Sequence, residues 1–359
     1  MSSANGNGPP LINPSLRGGR TLLARVADAS FWMSRYMERA EHIARILMIS
    51  NDVLTGTGDL DRAFALEVAG DVLRITQRDH MFPALTPAGR PASQVMAAVA
   101  RYMTLDEDNP NSLIHCMAKA RENARGIRES ISAEMWEQIN TFYWSIKSDD
   151  ARARFEDVPQ EFYRQFMMGS FLFQGLADQT MDHGQVWLFI QLSKYIERVD
   201  MTCRILMAKF STLSRVDSSL EPSLRTIQWM AVLRTCCSIE AYRRGNIGEL
   251  EPSRVANFII FDASFPRSIH YCVKQALASV DQIRAGLSAD AGREAQRRLG
   301  RLFAEVQYSQ IAGDTFETLL EFLSATRAGM AEAAAAVQEQ WFMRAIDPNG
   351  WRSWSTSAP

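Results

Sequence analysis

Residues 34–47 read SRYMERAEHIARIL and residues 193–206 read SKYIERVDMTCRIL, so one segment occurs twice in the chain. The copies align without a gap at an offset of 159 residues, and seven of the fourteen positions are identical. Apolar residues recur in steps of three and four around each copy, which is the period of an amphipathic helix. Similar periods run along most of the chain, and no convincing period-two alternation occurs. The sequence therefore predicts an all-α protein.

A second pair of matching segments extends the duplication. Residues 99–128 align with residues 255–284 at an offset of 156, which places Pro110 on Pro266 and Cys116 on Cys272. We expect both prolines to mark helix starts, because proline at the first helical position loses no intrahelical hydrogen bond. Two matches in the same order at nearly the same offset predict a pseudo-twofold duplicated helical bundle.

The duplication divides the chain into two helical repeats. We predict a flexible N-terminal tail over residues 1–20, a first repeat over 22–150, a connecting helix over 151–180, a second repeat over 181–342 and a C-terminal tail over 343–359. Predicted helices cover roughly residues 22–48, 60–78, 92–105, 110–131, 134–147, 160–180, 184–213, 222–244, 252–262, 266–288 and 294–342. The clearest predicted loops are His80–Pro91, which is rich in proline, and Lys147–Pro159.

Length and composition are those of an ordinary globular protein. The 359 residues are 47% hydrophobic and 22% charged, which excludes broad disorder. The net charge is -2, whereas a general nucleic-acid-binding protein has an excess of basic residues. No long uncharged apolar stretch predicts a membrane span, and five cysteines without a CxxC pair fit a reduced compartment. We expect a cytoplasmic protein without a nucleic-acid or membrane partner.

Both copies of the repeated helix carry a polar row opposite the apolar face. The row consists of Glu38, Glu41 and Arg45 in the first copy, and of Glu197, Asp200 and Arg204 in the second. On a solvated face, such acid and arginine pairs four residues apart contribute roughly 0.2–0.5 kcal/mol each. The alternative is that the two rows meet each other or a ligand, because their charges are retained while the apolar positions differ.

Three more arginines require partners. Arg39 and Arg198 lie at the edge of the apolar face, where a partly buried guanidinium needs a carboxylate. We expect them to pair with Asp106 or Asp262. Arg267 is a further candidate site residue, but helical periodicity does not place it at one site with the other candidates.

Other polar candidates lie outside the repeated helix. Glu122, Asn123 and Arg125 belong to the string Ala-Arg-Glu-Asn-Ala-Arg over residues 120–125. They form either an exposed polar face or a site in one repeat only, because the second copy has alanine and serine at the first two positions. His183, at the start of the second repeated helix, suits a cap or hinge better than a base, although the positive end of that helix lies nearby.

A carboxylate metal site is a further possibility in a helical bundle. A di-iron or di-manganese site would need glutamates from two helices and Glu-x-x-His from two others. The chain has no Glu-x-x-His, and Met201 takes the place of His42 in the second copy, so the ligand set is incomplete. No phosphate-binding loop, dinucleotide fingerprint, nucleophile elbow or zinc pattern occurs. We expect this chain to bind no metal or cofactor, and no catalytic residue is predicted.

The stretch Leu22–Glu41, LLARVADASFWMSRYMERAE, resembles the opening of the bacterial alpha-E domain family. The resemblance extends over nearly the whole chain after the tail, through His183-Gly, Tyr195-x-Glu-Arg-x-Asp, Ala120-Arg-Glu-Asn-Ala-Arg and Phe265-Pro-Arg-Ser268. The family is all-helical, and its genes commonly lie beside or are fused to circularly permuted ATP-grasp ligases, often with a transglutaminase-like protease. The resemblance implies a role in ATP-dependent peptide or amino-acid ligation, with ATP and Mg bound by the ligase.

Three hypotheses follow. In the first, the chain acts with a separate ATP-grasp ligase, because the sequence shows no ATP-grasp segment. The mixed acid and arginine rows would then hold a zwitterionic substrate at both ends. The substrate- or partner-binding residues would then be Glu38, Arg39, Glu41, Arg45, Glu197, Arg198, Asp200, Arg204, Glu122, Asn123, Arg125 and His183. In the second, the chain is a non-catalytic structural adaptor whose rows only align the repeats. The third is a carboxylate metal-dependent enzyme.

Overall fold

The computed structural model describes residues 22, 24–56, 62–216, 222–246, 250–285, 287–288, 290–309 and 316–342. In these ranges the regular elements are fifteen α-helices and two 3₁₀ helices, and no strand occurs. The α-helices are α1 (Ala24–Gly56), α2 (Arg62–Ile75), α3 (Phe82–Leu85), α4 (Ala92–Leu105), α5 (Leu113–Gly126), α6 (Ala133–Lys147), α7 (Asp149–Asp157), α8 (Pro159–Thr180), α9 (Gln185–Val216), α10 (Pro222–Thr235), α11 (Ile239–Gly245), α12 (Pro252–Phe261), α13 (Ile269–Arg284), α14 (Arg293–Tyr308) and α15 (Phe316–Trp341). The predicted all-α fold is confirmed. The predicted tails, residues 1–20 and 343–359, lie outside the described residues.

Helices α1 and α9, which carry the repeated segments, lie side by side and run in the same direction. The hydroxyl of Ser34 donates to the carbonyl of Ile190 at 2.9 Å, and five residues later Arg39 Nε donates to Glu197 Oε1 at 2.7 Å. Ser193 donates to the same carbonyl at 3.0 Å. The contacts thus advance together along both helices.

The surrounding helices pack in the same way on each member of this pair. Helices α5 and α8 pack on α1, and α6 bridges them, while α13 and α15 pack on α9 with α14 between them. Helix α2 packs on α9, and α10 packs on α1, so each of these helices crosses to the other long helix. This arrangement follows the order of the sequence duplication. The pseudo-twofold relation and the division into two repeats stay predictions.

Helix α1 is buried on all sides over most of its length. One hydrophobic cluster runs through the described helices and includes Phe31, Phe173 and Trp229, each almost fully buried. On the other side of α1, charged residues such as Glu38 and Glu41 are buried as well. A solvated polar face, the simpler interpretation of the repeated row, is therefore wrong for α1, because α9, α8 and α10 cover it.

The predicted loop Lys147–Pro159 instead contains α7. Ser148 begins this helix, since its hydroxyl accepts a hydrogen bond from the backbone N–H of Ala151 at 3.1 Å. Asp149 and Asp150 occupy the first turn, where the helix dipole favours negative charge. The predicted loop His80–Pro91 likewise contains part of the 3₁₀ helix Asp79–Met81 and the short helix α3.

The predicted helix over residues 222–244 is broken after Thr235. Cys237 has a φ of 55°, and the N–H of Ser238 donates to the carbonyl of Leu233 at 2.8 Å, which closes the end of α10. Helix α2 ends identically, with Gln77 at a φ of 57°. Glycine normally takes this left-handed position, so neither cysteine nor glutamine indicates the break. The predicted helix over 294–342 is also two helices, α14 and α15.

Candidate functional site

The repeated Glu-Arg pairs of α1 and α9 exchange ion pairs. Arg39 donates to Glu197 through Nε at 2.7 Å and through Nη2 at 2.9 Å. Arg198 donates to Glu38 through Nε at 2.5 Å and through Nη2 at 3.3 Å. Both glutamates are fully buried. Each long helix therefore supplies the carboxylate that the arginine of the other helix requires, and the glutamate of each polar row contacts the facing helix rather than the other row.

The expected pairing of Arg39 and Arg198 with Asp106 or Asp262 is wrong. The two aspartates order the turns that follow α4 and α12. Asp106 Oδ1 accepts backbone N–H groups from residues 108 and 109, both at 2.9 Å. Asp262 Oδ1 accepts those of residues 264 and 265, at 2.9 and 2.7 Å. The repeated arginines instead turn toward the adjacent long helix.

Arg35 is a member of the network that sequence analysis missed. Its Nε donates to Glu197 Oε2 at 2.8 Å, so this carboxylate accepts from two buried arginines. Arg35 aligns with Lys194 in the duplicated segment, and the retained basic charge was the available signal. Together the ion-pair network comprises Arg35, Glu38, Arg39, Glu41, Arg45, Glu197, Arg198, Asp200, Arg204, Arg267 and Arg327.

Glu38 and Glu197 of the network are ionised. Burial raises the pKa of Glu38, but the guanidiniums of Arg198 and Arg267 outweigh burial and lower that pKa to about 2. Burial likewise raises the pKa of Glu197, and Arg39 and Arg35 bring it well below its usual range. The two carboxylates therefore carry full charge at neutral pH, and their arginines are held by charge-assisted hydrogen bonds.

Glu41 continues the network toward one edge of the fold. Arg267, from the loop between α12 and α13, donates through Nη1 to Glu41 Oε2 at 3.1 Å and lies 3.6 Å from Glu38 Oε1. Arg45 forms an ion pair with the other oxygen of Glu41. Its guanidinium carbon lies 5.9 Å from the ring centre of Phe171 on α8, which is 45% exposed. Arg45 thus ends the network beneath an exposed aromatic side chain.

The equivalent end on α9 is built differently. Asp200 forms an ion pair with Arg204, and its Oδ1 accepts from Nε of Arg327 on α15 at 2.9 Å. Met201 stands where α1 has His42. An additional arginine thus covers Asp200, whereas the end at Arg45 is covered by Phe171. Arg327 lies outside the duplicated motifs, and no sequence signal identified it.

Guanidinium groups outnumber carboxylates at the Arg45 end. Glu38 and Glu41 are the two carboxylates there, and three arginines reach them, Arg45, Arg198 and Arg267. Nε of Arg45 is buried and has no hydrogen-bond acceptor in the described part of the chain. Burial lowers the pKa of Arg45 to about 10. Because an incompletely paired buried charge is costly, this arrangement favours an anion beside Arg45.

Glu38, Glu41 and His42 are close enough together to be compared with a metal site, their candidate ligand atoms all lying within 4.8 Å of one another. His42 Nδ1 lies 2.8 Å from the carbonyl oxygen of Glu38, which assigns the proton to this nitrogen and makes it a donor. The guanidinium of Arg267 already supplies positive charge to both carboxylates. These residues suit an arginine better than a metal ion.

The state of His42 gives a pH-dependent prediction. Burial is the main reason that the pKa of His42 is lowered, to about 4. Between about pH 6.5 and 4 the unfolded chain binds a proton that the folded chain does not, so stability falls as the pH falls through this window. His42→Met, which copies Met201, should remove up to about 3 kcal/mol of this dependence. Urea denaturation at pH 7 and pH 4.5 measures it.

The matched control is His115→Met, since His115 lies in the first turn of α5 and is partly exposed. We expect that variant to keep the wild-type dependence on pH. An equal pH dependence in wild type and His42→Met would contradict the assignment of a neutral buried histidine.

The remaining predicted site residues make separate contacts. Glu122 forms an exposed ion pair with Lys119, and Asn123 donates to the Lys119 carbonyl at 2.8 Å. Arg125 is exposed on the same helix. His183 stacks on Trp187 with ring centres 4.2 Å apart. The structure thus brings together eight of the twelve predicted residues, all on α1 and α9, and leaves these four outside the ion-pair network.

A family model matches residues 22–342 and describes a predicted alpha-helical domain with a conserved ER motif, named Alpha-E. The chain belongs to the Alpha-E family. In this Alpha-E domain the dipeptide Glu-Arg occurs twice, at Glu38-Arg39 and Glu197-Arg198. Both copies form the reciprocal ion pairs between α1 and α9. The one dipeptide in the family description thus coincides with the centre of the network.

Curated relatives of this Alpha-E domain come from mycobacteria. An uncharacterized protein of Mycobacterium bovis and two of Mycobacterium tuberculosis are each 28% identical over 314 residues. The aligned region covers 83% of this chain but 34% of each relative, so the chain spans about a third of their length. No solved structure matches the chain. Among the described helices of this Alpha-E domain, none is long and apolar enough to cross a membrane.

Proposed function

We propose that this Alpha-E domain acts with a circularly permuted ATP-grasp ligase in ATP-dependent ligation or modification of a peptide or amino acid. The ligase binds ATP and Mg, and the Alpha-E domain binds a carboxylate group of the substrate at Arg45. A transglutaminase-like protease is a further partner in this proposal. The reaction takes place in the cytoplasm.

The observation that carries the proposal is the surplus of positive charge beside Glu41. Arg45 has a donor nitrogen without an acceptor in the described structure, and Arg267 lies on the other oxygen of the same carboxylate. A carboxylate can accept two parallel hydrogen bonds from one guanidinium, which gives both affinity and orientation. A substrate carboxylate at this position would offset the charge surplus, and Phe171 would cover it.

The length of the relatives supports a partnership. The Alpha-E region aligns with 34% of each mycobacterial protein, which leaves most of that chain for other domains. A helical domain that works beside a ligase can belong to the same chain or to a separate one. The proposal therefore needs contact between the two units rather than a particular gene arrangement.

A purely structural adaptor is the second candidate function, and a specific observation favours it. The central pairs Arg39–Glu197 and Arg198–Glu38 are buried and mutually satisfied, so they hold α1 against α9 and have little capacity left for a substrate. The two candidate functions predict different effects of changing Arg45. Ligation requires the Nε donor of Arg45, which has no acceptor in the described part of the chain, whereas an adaptor would tolerate the loss of this donor as long as the fold is retained.

The test is to purify the protein with the ATP-grasp ligase encoded nearest to it. ATP hydrolysis is then measured for each chain alone and for the pair, with mixed peptides as substrates. We expect hydrolysis that requires both chains, and we expect Arg45→Gln to lower it by about tenfold or more, the value of one charge-assisted hydrogen bond. Glu41 keeps Arg267 in this variant, so the fold should be retained.

Arg125→Gln is the matched control, because Arg125 is exposed on α5 outside the network. It should leave hydrolysis by the pair unchanged. Full activity of a folded Arg45→Gln variant would favour the adaptor. Absence of a complex and of stimulation by the wild-type chain would contradict the partnership itself.

A further inference from the structure

A cleft of about 530 Å³ lies between α2 and α9, away from the ion-pair network. Leu66 and Phe82 contribute apolar walls. Its polar lining comes from Glu67, Arg74, Asp79 and Thr212. The cleft thus combines an apolar surface with acidic and basic groups, as sites for small polar molecules commonly do.

An aspartate beside this cleft, hydrogen-bonded to Thr212 of its lining, already has its charge balanced. Asp71, almost fully buried, accepts from the Thr212 hydroxyl at 2.7 Å and lies 2.7 Å from Nζ of Lys209. Arg74 donates to the same carboxylate. Lys209 and Arg74 thus both pair with Asp71. Glu67 and Asp79 are therefore the acidic groups available to a ligand.

The carboxylate of Glu67 is incompletely hydrogen-bonded among the described residues. Its Oε1 is buried and has no hydrogen-bond donor within the described residues. Burial first, and then the neighbouring carboxylate of Asp71, raise the pKa of Glu67. A positively charged donor in the cleft would remove both disadvantages, because it would hydrogen-bond the orphan oxygen and offset the repulsion from Asp71.

The corresponding cleft between α10 and α1 has different residues at the positions of Glu67 and Asp71. Helices α2 and α10 end in the same left-handed turn, which aligns them at an offset of 160 residues. The second cleft measures about 240 Å³, and the residues aligned with Glu67, Gly70 and Asp71 are Ile227, Met230 and Ala231. Of the four positions compared, only Arg74 keeps its type, as Arg234. The cleft between α10 and α1 thus has apolar side chains at the positions of Glu67 and Asp71, whereas the cleft between α2 and α9 is larger and lined by acidic residues.

We infer that the cleft between α2 and α9 binds the primary ammonium group of an amino acid or short peptide, with Glu67 as the acceptor. Asp79 adds negative charge at the opening, and the aliphatic part of the ligand lies against Leu66 and Phe82. The half-exposed guanidinium of Arg74 is placed for the ligand's carboxylate. Binding to this cleft requires only this chain, so the inference stands or falls independently of the ligase partnership.

The test measures binding of three probes to the full chain by isothermal titration calorimetry. The probes are the dipeptide Ala-Ala, its N-acetyl derivative, which has no ammonium group, and its C-terminal amide, which has no carboxylate. We expect Ala-Ala and the amide to bind with dissociation constants below about 10 mM, and the N-acetyl derivative to bind at least about tenfold more weakly. Glu67→Gln should weaken binding of the amide by at least about tenfold.

A second variant fills the cleft. Gly70→Met copies Met230, and the first atom of the new side chain would lie 3.3 Å from the flexible end of Arg74 and 3.4 Å from the ring of Phe82, so a small shift of the Arg74 side chain can accommodate it. We expect this variant to bind none of the probes. Glu240→Gln, which neutralises an exposed acid on α11, is the control and should bind like the wild type. Undiminished binding to folded Glu67→Gln and Gly70→Met, equal binding of the N-acetyl probe, or no binding of Ala-Ala at about 10 mM would each overturn the inference.

Discussion

Glu197→Gln is expected to lower the free energy of unfolding by about 3–5 kcal/mol. The variant keeps the size of the side chain but removes the negative charge that Arg35 and Arg39 share in a fully buried position. Two guanidiniums would then be buried beside a neutral amide, which offers one acceptor oxygen instead of two charged ones. Urea denaturation at pH 7, followed by circular dichroism, measures the change.

Glu122→Gln is the matched control for this variant. Glu122 forms an exposed ion pair with Lys119, so its neutralisation should change the free energy of unfolding by less than about 0.5 kcal/mol. Equal stability of Glu197→Gln and Glu122→Gln would show that the central pairs do not hold α1 against α9. Because a large loss of stability is expected, loss of activity in Glu197→Gln would not by itself indicate a substrate-binding role.

A fragment comprising residues 22–180 is expected to lack a cooperative unfolding transition on its own. It would leave α1 without α9 and α10, and α2 without α9. Glu38 would lose Arg198, and Arg39 would lose Glu197. Thermal and urea unfolding of the isolated fragment should therefore show the broad, non-cooperative change of a partly ordered chain.

Mixing this fragment with residues 181–342 provides the control. Association should restore the long-helix pair and with it a single cooperative transition whose midpoint depends on concentration. A sharp, concentration-independent transition of residues 22–180 alone would contradict the prediction. It would mean that each repeat is an independent domain, in spite of the helices that cross between the two long ones.

Helical periodicity was sufficient to predict the all-α fold, and the duplicated segment was sufficient to locate the two central helices. It did not predict that α1 is buried on every side. Periodicity distinguishes an apolar face from a polar one, but a polar face covered by complementary charges has the same pattern as a face covered by water. Glu38 and Arg39 belong to the first kind, and their partners lie 160 and 158 residues away in sequence.

The candidate site shows the same limit. Arg45 was predicted because its row is duplicated, whereas Arg267 could not be assigned to a site because it lies on a loop and reaches Glu41 only in the folded chain. Phe171 carries no motif at all. The cleft beside Glu67 was also missed, since its helix is ordinary in sequence and the cleft exists only where α2 meets α9.

The separation of the two repeated motifs in the sequence also sets the order of events during synthesis. At about 5–20 residues per second, a ribosome completes Glu197 roughly 8–30 s after Glu38. For that period α1 has emerged without the helix that covers it, and nascent chains with uncovered apolar surface are prone to aggregate. During this period the charged row on α1 keeps one side of that helix hydrated. The charged groups that pair α1 with α9 in the folded chain are therefore the groups that water hydrates on α1 before α9 is made.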